Sequence, residues 1–112
     1  MGNAMKLIDK KKLENIPLGI EVNEILLPHH AQSIIPFNTS FITIEPGMTT
    51  PVDCHLVKEM WLIVAGIGLL TCDKKTSEIK EKDAIYFNSM QEHAVKNTGD
   101  SRLEIISIWW KS

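Results

Sequence analysis

The sequence has few cysteine, histidine and aromatic residues, and each shortage narrows the class of protein. Its 112 residues include two cysteines, four histidines and 6% aromatic residues. Cys54 and Cys72 are too few for the disulfide framework of a small secreted protein, and a chain with 44% hydrophobic residues does not need one. We therefore expect reduced cysteines and a cytoplasmic protein.

Long apolar runs and a large excess of one charge are also missing. No window approaches the roughly 20 apolar residues that span a bilayer, and no N-terminal segment has the form of a signal peptide. The formal net charge is -2, and the one basic cluster, Lys10, Lys11 and Lys12, has no interleaved aromatic residues. The sequence therefore favours neither membrane insertion nor nucleic-acid binding.

The chain does contain a series of short apolar runs, many of them β-branched, separated by turn residues at intervals of roughly eight to twelve. This pattern predicts one all-β domain over residues 16–112. It follows an N-terminal tail, residues 1–15, which forms at most a helical turn and is expected to be partly an expression scar. Antiparallel strands in this number hide their edges best in a barrel or jelly roll. The predicted strands are 20–27, 37–44, 56–64, 69–72, 76–79, 84–87, 93–96 and 103–110.

Two of the histidines lie where folding can bring them together with carboxylates. Asp53, His55 and Glu59 have odd numbers in one extended stretch, so in the absence of a bulge they point to the same face, and Cys54 points to the other face as a small buried residue. His93 begins a later strand and joins them only through tertiary folding. Two imidazoles and one or two carboxylates inside a barrel suit iron, manganese, nickel, cobalt or zinc.

The same residues resemble the first motif of the cupin superfamily, which reads Gly, five residues, His-x-His, three or four residues, Glu, six residues, Gly. Gly47, His55, Glu59 and Gly66 match four of its five fixed positions, and Asp53 replaces the first histidine. A match of four positions at the right spacing is specific for a short motif.

The second cupin motif reads Gly, five residues, Pro-x-Gly, two residues, His, three residues, Asn. His93 and Asn97 match it, whereas Lys82, Asn88 and Met90 replace the two glycines and the proline. The resemblance covers residues 46–99, about half of the chain. It implies a double-stranded β-helix barrel, a jelly-roll fold.

The resemblance also implies that His55, Glu59 and His93 are metal ligands and puts Asp53 in the place of the first ligand. Asp53 can bind a hard divalent cation through oxygen. If it turns away, the other three residues form a two-histidine, one-carboxylate triad with open positions. One divalent transition metal ion per chain is the expected cofactor.

Other residues are candidates for the substrate pocket or its surroundings. Trp61 shares the parity of Glu59 and is predicted as a pocket wall, with a place in the core or in a dimer interface as the alternative. Tyr86 and Gln91 are candidate polar contacts at the barrel mouth. His29 and His30 are predicted to be loop-surface residues, with a role at the rim of the site as the alternative.

Three functions are compatible with these features. The first is a metalloenzyme that acts on a small polar organic substrate by dioxygenation, isomerisation or decarboxylation. The second is a non-catalytic module that binds a small ligand, and the third is a cupin that has lost its metal. The apolar strands 20–27 and 103–110 offer more hydrophobic surface than one barrel hides, and cupins commonly pair through such strands, so we also expect a homodimer.

Overall fold

A computed structural model describes residues 5, 7–28 and 35–111, and every helix or strand assigned within them is a β-strand. Their nine strands pair only in antiparallel fashion. In chain order they are β1 (Lys10–Lys12), β2 (Ile20–Ile25), β3 (Asn38–Ile44), β4 (Lys58–Ala65), β5 (Ile67–Cys72), β6 (Lys75–Lys80), β7 (Ala84–Phe87), β8 (His93–Asn97) and β9 (Leu103–Trp110).

The strands form two sheets around one core. Six strands lie in the order β1-β2-β3-β9-β4-β7 and three in the order β6-β5-β8. The C-terminal strand β9 thus lies between β3 and β4, a non-sequential arrangement typical of a jelly roll. The predicted all-β, jelly-roll barrel is confirmed. Both sheets contribute to the apolar core, which consists of Ile44, Trp61, Ile63, Leu70, Ile79, Phe87, Val95, Leu103 and Ile105.

Strand alternation places a carboxylate on the inner wall of β4. Successive side chains of a strand point to opposite faces, and Glu59, Trp61 and Ile63 are 9%, 4% and 3% exposed. Burying a side chain such as Ile63 stabilises the fold by roughly 1.5–3 kcal/mol. Burying the carboxylate of Glu59 costs free energy unless it is paired or hydrogen-bonded, so this residue needs a compensating partner.

The outer face of the six-stranded sheet is apolar as well. Ile106 of β9 is in register with Phe41 of β3 on one side and with Leu62 of β4 on the other. Met60 is in register with Ile108. These side chains are half-buried or exposed. We call them, with Trp110, the outer apolar face; a contiguous apolar surface of this kind is typical of an interaction site.

Some turns use backbone conformations that normally need glycine. Gly66, between β4 and β5, has a φ of +91°, and a Cβ atom there would lie 2.6 Å from the carbonyl oxygen of Arg102. Lys82 and Met90 have φ values of +75° and +65°, in a region that side-chain-bearing residues seldom adopt. These two positions are where the second motif has its glycines. The turn geometry is therefore kept without glycine, at a conformational cost.

All eight predicted strands are present, with ends that differ by up to two residues. For example, residues 56–64 and 20–27 correspond to Lys58–Ala65 and Ile20–Ile25. The predicted N-terminal tail includes strand β1 rather than a helical turn, since Lys10 pairs with Ile25 at the edge of the large sheet. In the described part of the chain, no helix is long and apolar enough to cross a membrane.

Candidate metal centre

The buried carboxylate of Glu59 faces the imidazole of His93. Glu59 lies on β4 in the large sheet, and His93 is the first residue of β8 in the small sheet, so folding of the barrel brings them together. Nε2 of His93 lies 3.3 Å from Oε1 of Glu59, and their side chains are 4% and 12% exposed. Two titratable groups thus meet in the interior.

The hydrogen bonds around this pair leave one oxygen without a partner. Oε2 of Glu59 accepts hydrogen bonds from Nε1 of Trp61, at 2.8 Å, and from Oγ of Ser107. Nδ1 of His93 lies 3.0 Å from the carbonyl oxygen of Gln91, which can only accept, so Nδ1 carries the hydrogen. In a neutral imidazole, Nε2 then presents a lone pair to Oε1, for which the described residues provide no hydrogen bond. A proton or a metal cation between the two atoms would satisfy both.

The pKa values of the two groups are shifted in directions that favour a positive charge at this position. Burial alone would lower the pKa of His93, but hydrogen bonds to Glu59 and Gln91 and the charges of Glu59 and Asp53 raise it overall. Burial alone would raise the pKa of Glu59, but the contact with His93 and the hydrogen bonds from Ser107 and Trp61 lower it overall. Without a metal ion, the pair therefore tends to hold a proton.

Asp53 and His55 form a second pair at the edge of the same site. Nε2 of His55 lies 3.5 Å from Oδ2 of Asp53, and the side chains are 46% and 61% exposed. Asp53 is held beside His93 by two backbone hydrogen bonds of 2.9 Å and 3.0 Å, one in each direction. The imidazole centroids of His55 and His93 are 6.2 Å apart. The exposed pair is thus next to the buried pair.

The extended stretch expected between Asp53 and Glu59 is interrupted. Residues 54–57 form no strand, and β4 begins only at Lys58. His55 therefore reaches the site from a loop, and Cys54, expected to be buried, is exposed. Within the described ranges, no group of three or more His, Cys, Asp or Glu side chains is arranged to hold a metal ion. The four candidate ligands are present as two neighbouring pairs.

Three of the candidate ligands border one cavity of about 340 Å³ that lies against the six-stranded sheet. Its wall is mainly apolar, and its polar groups are mostly carboxyl and hydroxyl groups. The lining residues are Leu13, Ile16, Val22, Glu24, Ser40, Ile42, Asp53, His55, Val57, Glu59, Ser107 and Trp109.

A larger cavity, of about 430 Å³, lies outside the barrel between β2 and the segment before it. Lys12 pairs there with Glu21, and Arg102 pairs with Glu45. Because the charges on its wall already neutralise each other, the smaller cavity beside His93 is the better candidate for a functional site.

Aromatic rings fix the position of the buried histidine. Phe87 stacks on the imidazole of His93 with ring centroids 4.1 Å apart, and Trp61 meets the same imidazole edge-on at 5.4 Å. Predicted as a pocket wall, Trp61 lies instead in the core behind Glu59 and is not among the lining residues of the cavity. Its indole N–H donates to the carboxylate of Glu59 and so orients it.

Tyr86 and Gln91, predicted at the barrel mouth, do not line the cavity either. Tyr86 is 49% exposed on β7. Gln91 donates a hydrogen bond to Asp73, and it contributes to the site through the backbone carbonyl that holds the imidazole. His29 and His30 lie outside the described residues.

Three polar residues of the cavity were missed by reasoning from the sequence: Glu24, Ser40 and Ser107. Strand parity would have indicated them, because Glu24 shares a face of β2 with Val22, and Ser40 shares a face of β3 with Ile42. A polar residue that alternates on the same strand face as inward-pointing apolar residues therefore indicates a polar group inside the barrel.

Comparison with known families agrees with this fold and motif. Residues 40–109 match the family described as the cupin domain. The chain belongs to the cupin family. The matched segment is more than half of the chain and contains all four candidate ligands, so the resemblance inferred from the two motifs is confirmed.

Curated relatives of this cupin are much longer proteins. The chain is 29% identical over 111 residues to a mannose-1-phosphate guanylyltransferase from Salmonella montevideo, a match that covers 95% of the chain and 24% of that protein. It is 33% identical over 73 residues to the alginate biosynthesis protein AlgA from Pseudomonas aeruginosa, covering 64% of the chain and 15% of the relative. The chain thus spans a quarter or less of the length of these two relatives.

Solved structures share the fold over nearly the whole chain. A cupin 2 conserved barrel domain protein from Salinispora arenicola superimposes with a TM-score of 0.77 at 24% identity, covering 98% of this cupin and 92% of that chain. A predicted oxalate decarboxylase from Thermotoga maritima has a TM-score of 0.76 at 21% identity and covers 94% of both chains. At these identities the similarity establishes the barrel.

Proposed function

We propose that this cupin binds one divalent transition metal ion and acts as a metalloenzyme on a small organic molecule. The observation that carries the proposal is the approach of Nε2 of His93 to the unpartnered Oε1 of Glu59, 3.3 Å away in the interior. Moreover, histidines that ligate metals usually donate the other ring N–H to a backbone carbonyl or a carboxylate, as His93 does to Gln91.

The available donors suit such an ion. His55, Glu59 and His93 would supply two nitrogens and one oxygen, and Asp53 a further oxygen, a donor set suited to iron, manganese, nickel, cobalt or zinc. The two carboxylates would neutralise the charge of the ion. His55 and Asp53 are the exposed members of the set. To bring the two pairs together around one ion, the loop of residues 54–57 would move, and the core would not.

The chain's own groups define the rest of the chemistry. A bound metal ion would act as a Lewis acid or oxygen activator at its open positions. Trp61 and Ser107 fix one oxygen of Glu59, and Gln91 fixes the tautomer of His93. The apolar part of the cavity wall would hold the apolar part of a small organic molecule. Glu59, or Asp53 at the exposed edge of the site, would double as the acceptor of a proton from a bound substrate.

Elemental analysis of the purified protein tests this proposal. We expect close to one transition metal ion per chain after supplementation with Fe, Mn, Co, Ni or Zn, and loss of that ion in His55→Ala and His93→Gln, the latter chosen to keep the buried volume filled. Glu21→Gln, an exposed change on β2, should retain the ion. A folded parent protein that stays metal-free after supplementation would contradict the proposal.

A second candidate is a cupin that binds a small ligand without catalysis. It is favoured by the absence of a preformed three-donor group among the described side chains. Because such a module can hold its ligand with or without a metal ion, oxygen consumption or turnover with candidate substrates separates the two proposals: a parent that binds a small ligand and turns none over supports the second candidate.

A further inference from the structure

The turn of residues 88–92, which we call the histidine turn, leads from β7 to β8 and ends one residue before His93. The second motif has a proline and a glycine in this turn, and Asn88 and Met90 stand in their places. Met90 has a φ of +65°, which glycine adopts without strain and methionine does not. The histidine turn therefore needs contacts from other groups to keep its shape.

Two side chains supply these contacts. Oε1 of Gln91 accepts a hydrogen bond of 2.7 Å from the backbone N–H of Asn88, and Nε2 of Gln91 donates one of 3.0 Å to Oδ2 of Asp73. Oδ1 of Asp73 accepts a hydrogen bond of 3.1 Å from the backbone N–H of Glu92. Asp73 lies in the turn between β5 and β6. These two side chains, which we call the clamp, thus tie the histidine turn to a hairpin of the small sheet.

The histidine turn contacts both candidate histidine ligands. The backbone carbonyl oxygen of Gln91 lies 3.0 Å from Nδ1 of His93, in the buried pair. The backbone N–H of Met90 donates a hydrogen bond of 2.6 Å to the carbonyl oxygen of His55, in the exposed pair. Because the clamp holds residues 91 and 92, directly before His93, it fixes the carbonyl group on which the imidazole depends.

We infer that Asp73 and Gln91 are positioning residues of the candidate metal centre, which orient the imidazole of His93 through the histidine turn without contacting the ion. The inference deepens the proposed function and rests on it for the role of His93 as a ligand. Groups that orient a ligating imidazole typically change metal affinity about 10- to 100-fold. Since Asp73 acts through one further residue, we expect an effect of about tenfold, at the lower end of this range.

An exchange of chemical groups within the clamp tests the inference. Asp73→Asn has one side-chain oxygen instead of two, so the N–H donor of either Gln91 or Glu92 loses its acceptor. Gln91→Glu brings a second carboxylate against that of Asp73. In the double variant Asp73→Asn/Gln91→Glu, the introduced NH₂ group donates to the introduced carboxylate, and all three side-chain hydrogen bonds can form again. Asparagine also tolerates the φ of +49° at position 73.

Two measurements follow the clamp. The first is zinc affinity, by competition with a chelator. The second is hydrogen exchange of the Nδ1–H of His93 in chelator-treated protein, by proton NMR near pH 5.5, where the imidazole is protonated. We expect each single variant to bind zinc about tenfold more weakly and to exchange the Nδ1–H about tenfold faster, because a charge-assisted hydrogen bond is worth about this factor. The double variant should return both values to those of the parent.

Two controls separate positioning from a general loss of stability. The backbone amide of Ile105, a core residue of β9, should exchange at the parent rate in every variant, because only overall destabilisation would expose it. Glu78→Gln removes one carboxylate from an exposed position on β6, in the same hairpin as Asp73, and should change neither measurement. If a single variant fails to fold, the double variant decides alone.

The inference would be overturned by unchanged zinc affinity and unchanged Nδ1–H exchange in the folded single variants. A double variant that keeps the defect or fails to fold would overturn it as well, and so would equal acceleration of exchange at Ile105. The two proposals remain distinguishable on the same samples. A zinc-binding parent that is insensitive to these substitutions refutes only this inference. A parent that binds no zinc, but whose Nδ1–H exchange responds as expected, refutes only the metal site.

Discussion

The substitution Glu59→Gln should change stability in opposite directions at low and high pH when the metal is absent. Glutamine has the same shape but carries one oxygen and one NH₂ group. Its oxygen must face Trp61 and Ser107, which both donate to that position. Its NH₂ group then faces Nε2 of His93, which accepts a hydrogen bond when the ring is neutral and cannot accept one when it is protonated.

The sign of the pH dependence follows from the two shifted pKa values. The folded pKa of His93 is raised above its ordinary 6.5, so the stability it contributes is present below that value and is lost as pH rises through the folded pKa. The folded pKa of Glu59 is lowered below 4.5, so its contribution is present above that value and is lost as pH falls through the folded pKa. The native pair is therefore most favourable between about pH 4.5 and 6.5.

The magnitude follows from the cost of a buried polar group without a partner, about 1–3 kcal/mol. Near pH 9 the native protein has the unpartnered oxygen and the variant does not, so Glu59→Gln should be more stable by about 1–2 kcal/mol. Near pH 5.5 the protonated imidazole faces the NH₂ group instead of a carboxylate, and the variant should be less stable by a similar amount.

Urea denaturation of chelator-treated protein at both pH values measures these differences. Glu21→Gln, which changes an exposed carboxylate, serves as the control. Its effect on the free energy of unfolding should not reverse sign between the two pH values. An equal loss of stability in Glu59→Gln at both pH values would refute the reasoning, because Glu59 would then act only through the hydrogen bonds to its other oxygen.

Two further predictions concern the turns and the outer apolar face. Lys82→Gly should raise the free energy of unfolding by about 0.5–1 kcal/mol, because glycine adopts the positive φ of this position without strain. Glu81→Gly, at the neighbouring position without a positive φ, should lower the free energy of unfolding. Denaturant midpoints of the two variants measure both effects. We propose that the outer apolar face pairs two copies, so light scattering at micromolar concentration should give the mass of a dimer for the parent and of a monomer for Ile106→Glu. A monomeric parent would contradict this.

The fold was largely predictable because each strand carries its own local signal. In β9, for example, Leu103, Ile105 and Ser107 are buried while the residues between them are more exposed, and turn residues, Asn97 to Asp100, precede the strand. What local signals do not specify is the pairing of strands, since β9 inserts between β3 and β4 through contacts distant in sequence. Strand β1 was missed because three lysines carry no apolar pattern.

The candidate site was less predictable, and the reason is physical. Parity places residues on a common face only while the backbone remains extended, and this condition fails between Asp53 and Glu59, where residues 54–57 leave the strand. Proximity of His93 to Glu59 depends on closure of the barrel, for which only the family motif gave an indication. Side-chain hydrogen bonds such as those of Trp61 and Gln91 depend on rotamers that no sequence pattern encodes.

Strand β1 also limits how copies of this protein can associate. Its three lysines are exposed and lie at the open edge of the six-stranded sheet. If two copies joined their sheets through this edge in antiparallel fashion, six ammonium groups would be brought together across one strand pair, and such repulsion opposes pairing. The lysines thus oppose extension of the sheet through β1, and with it fibre growth from that edge.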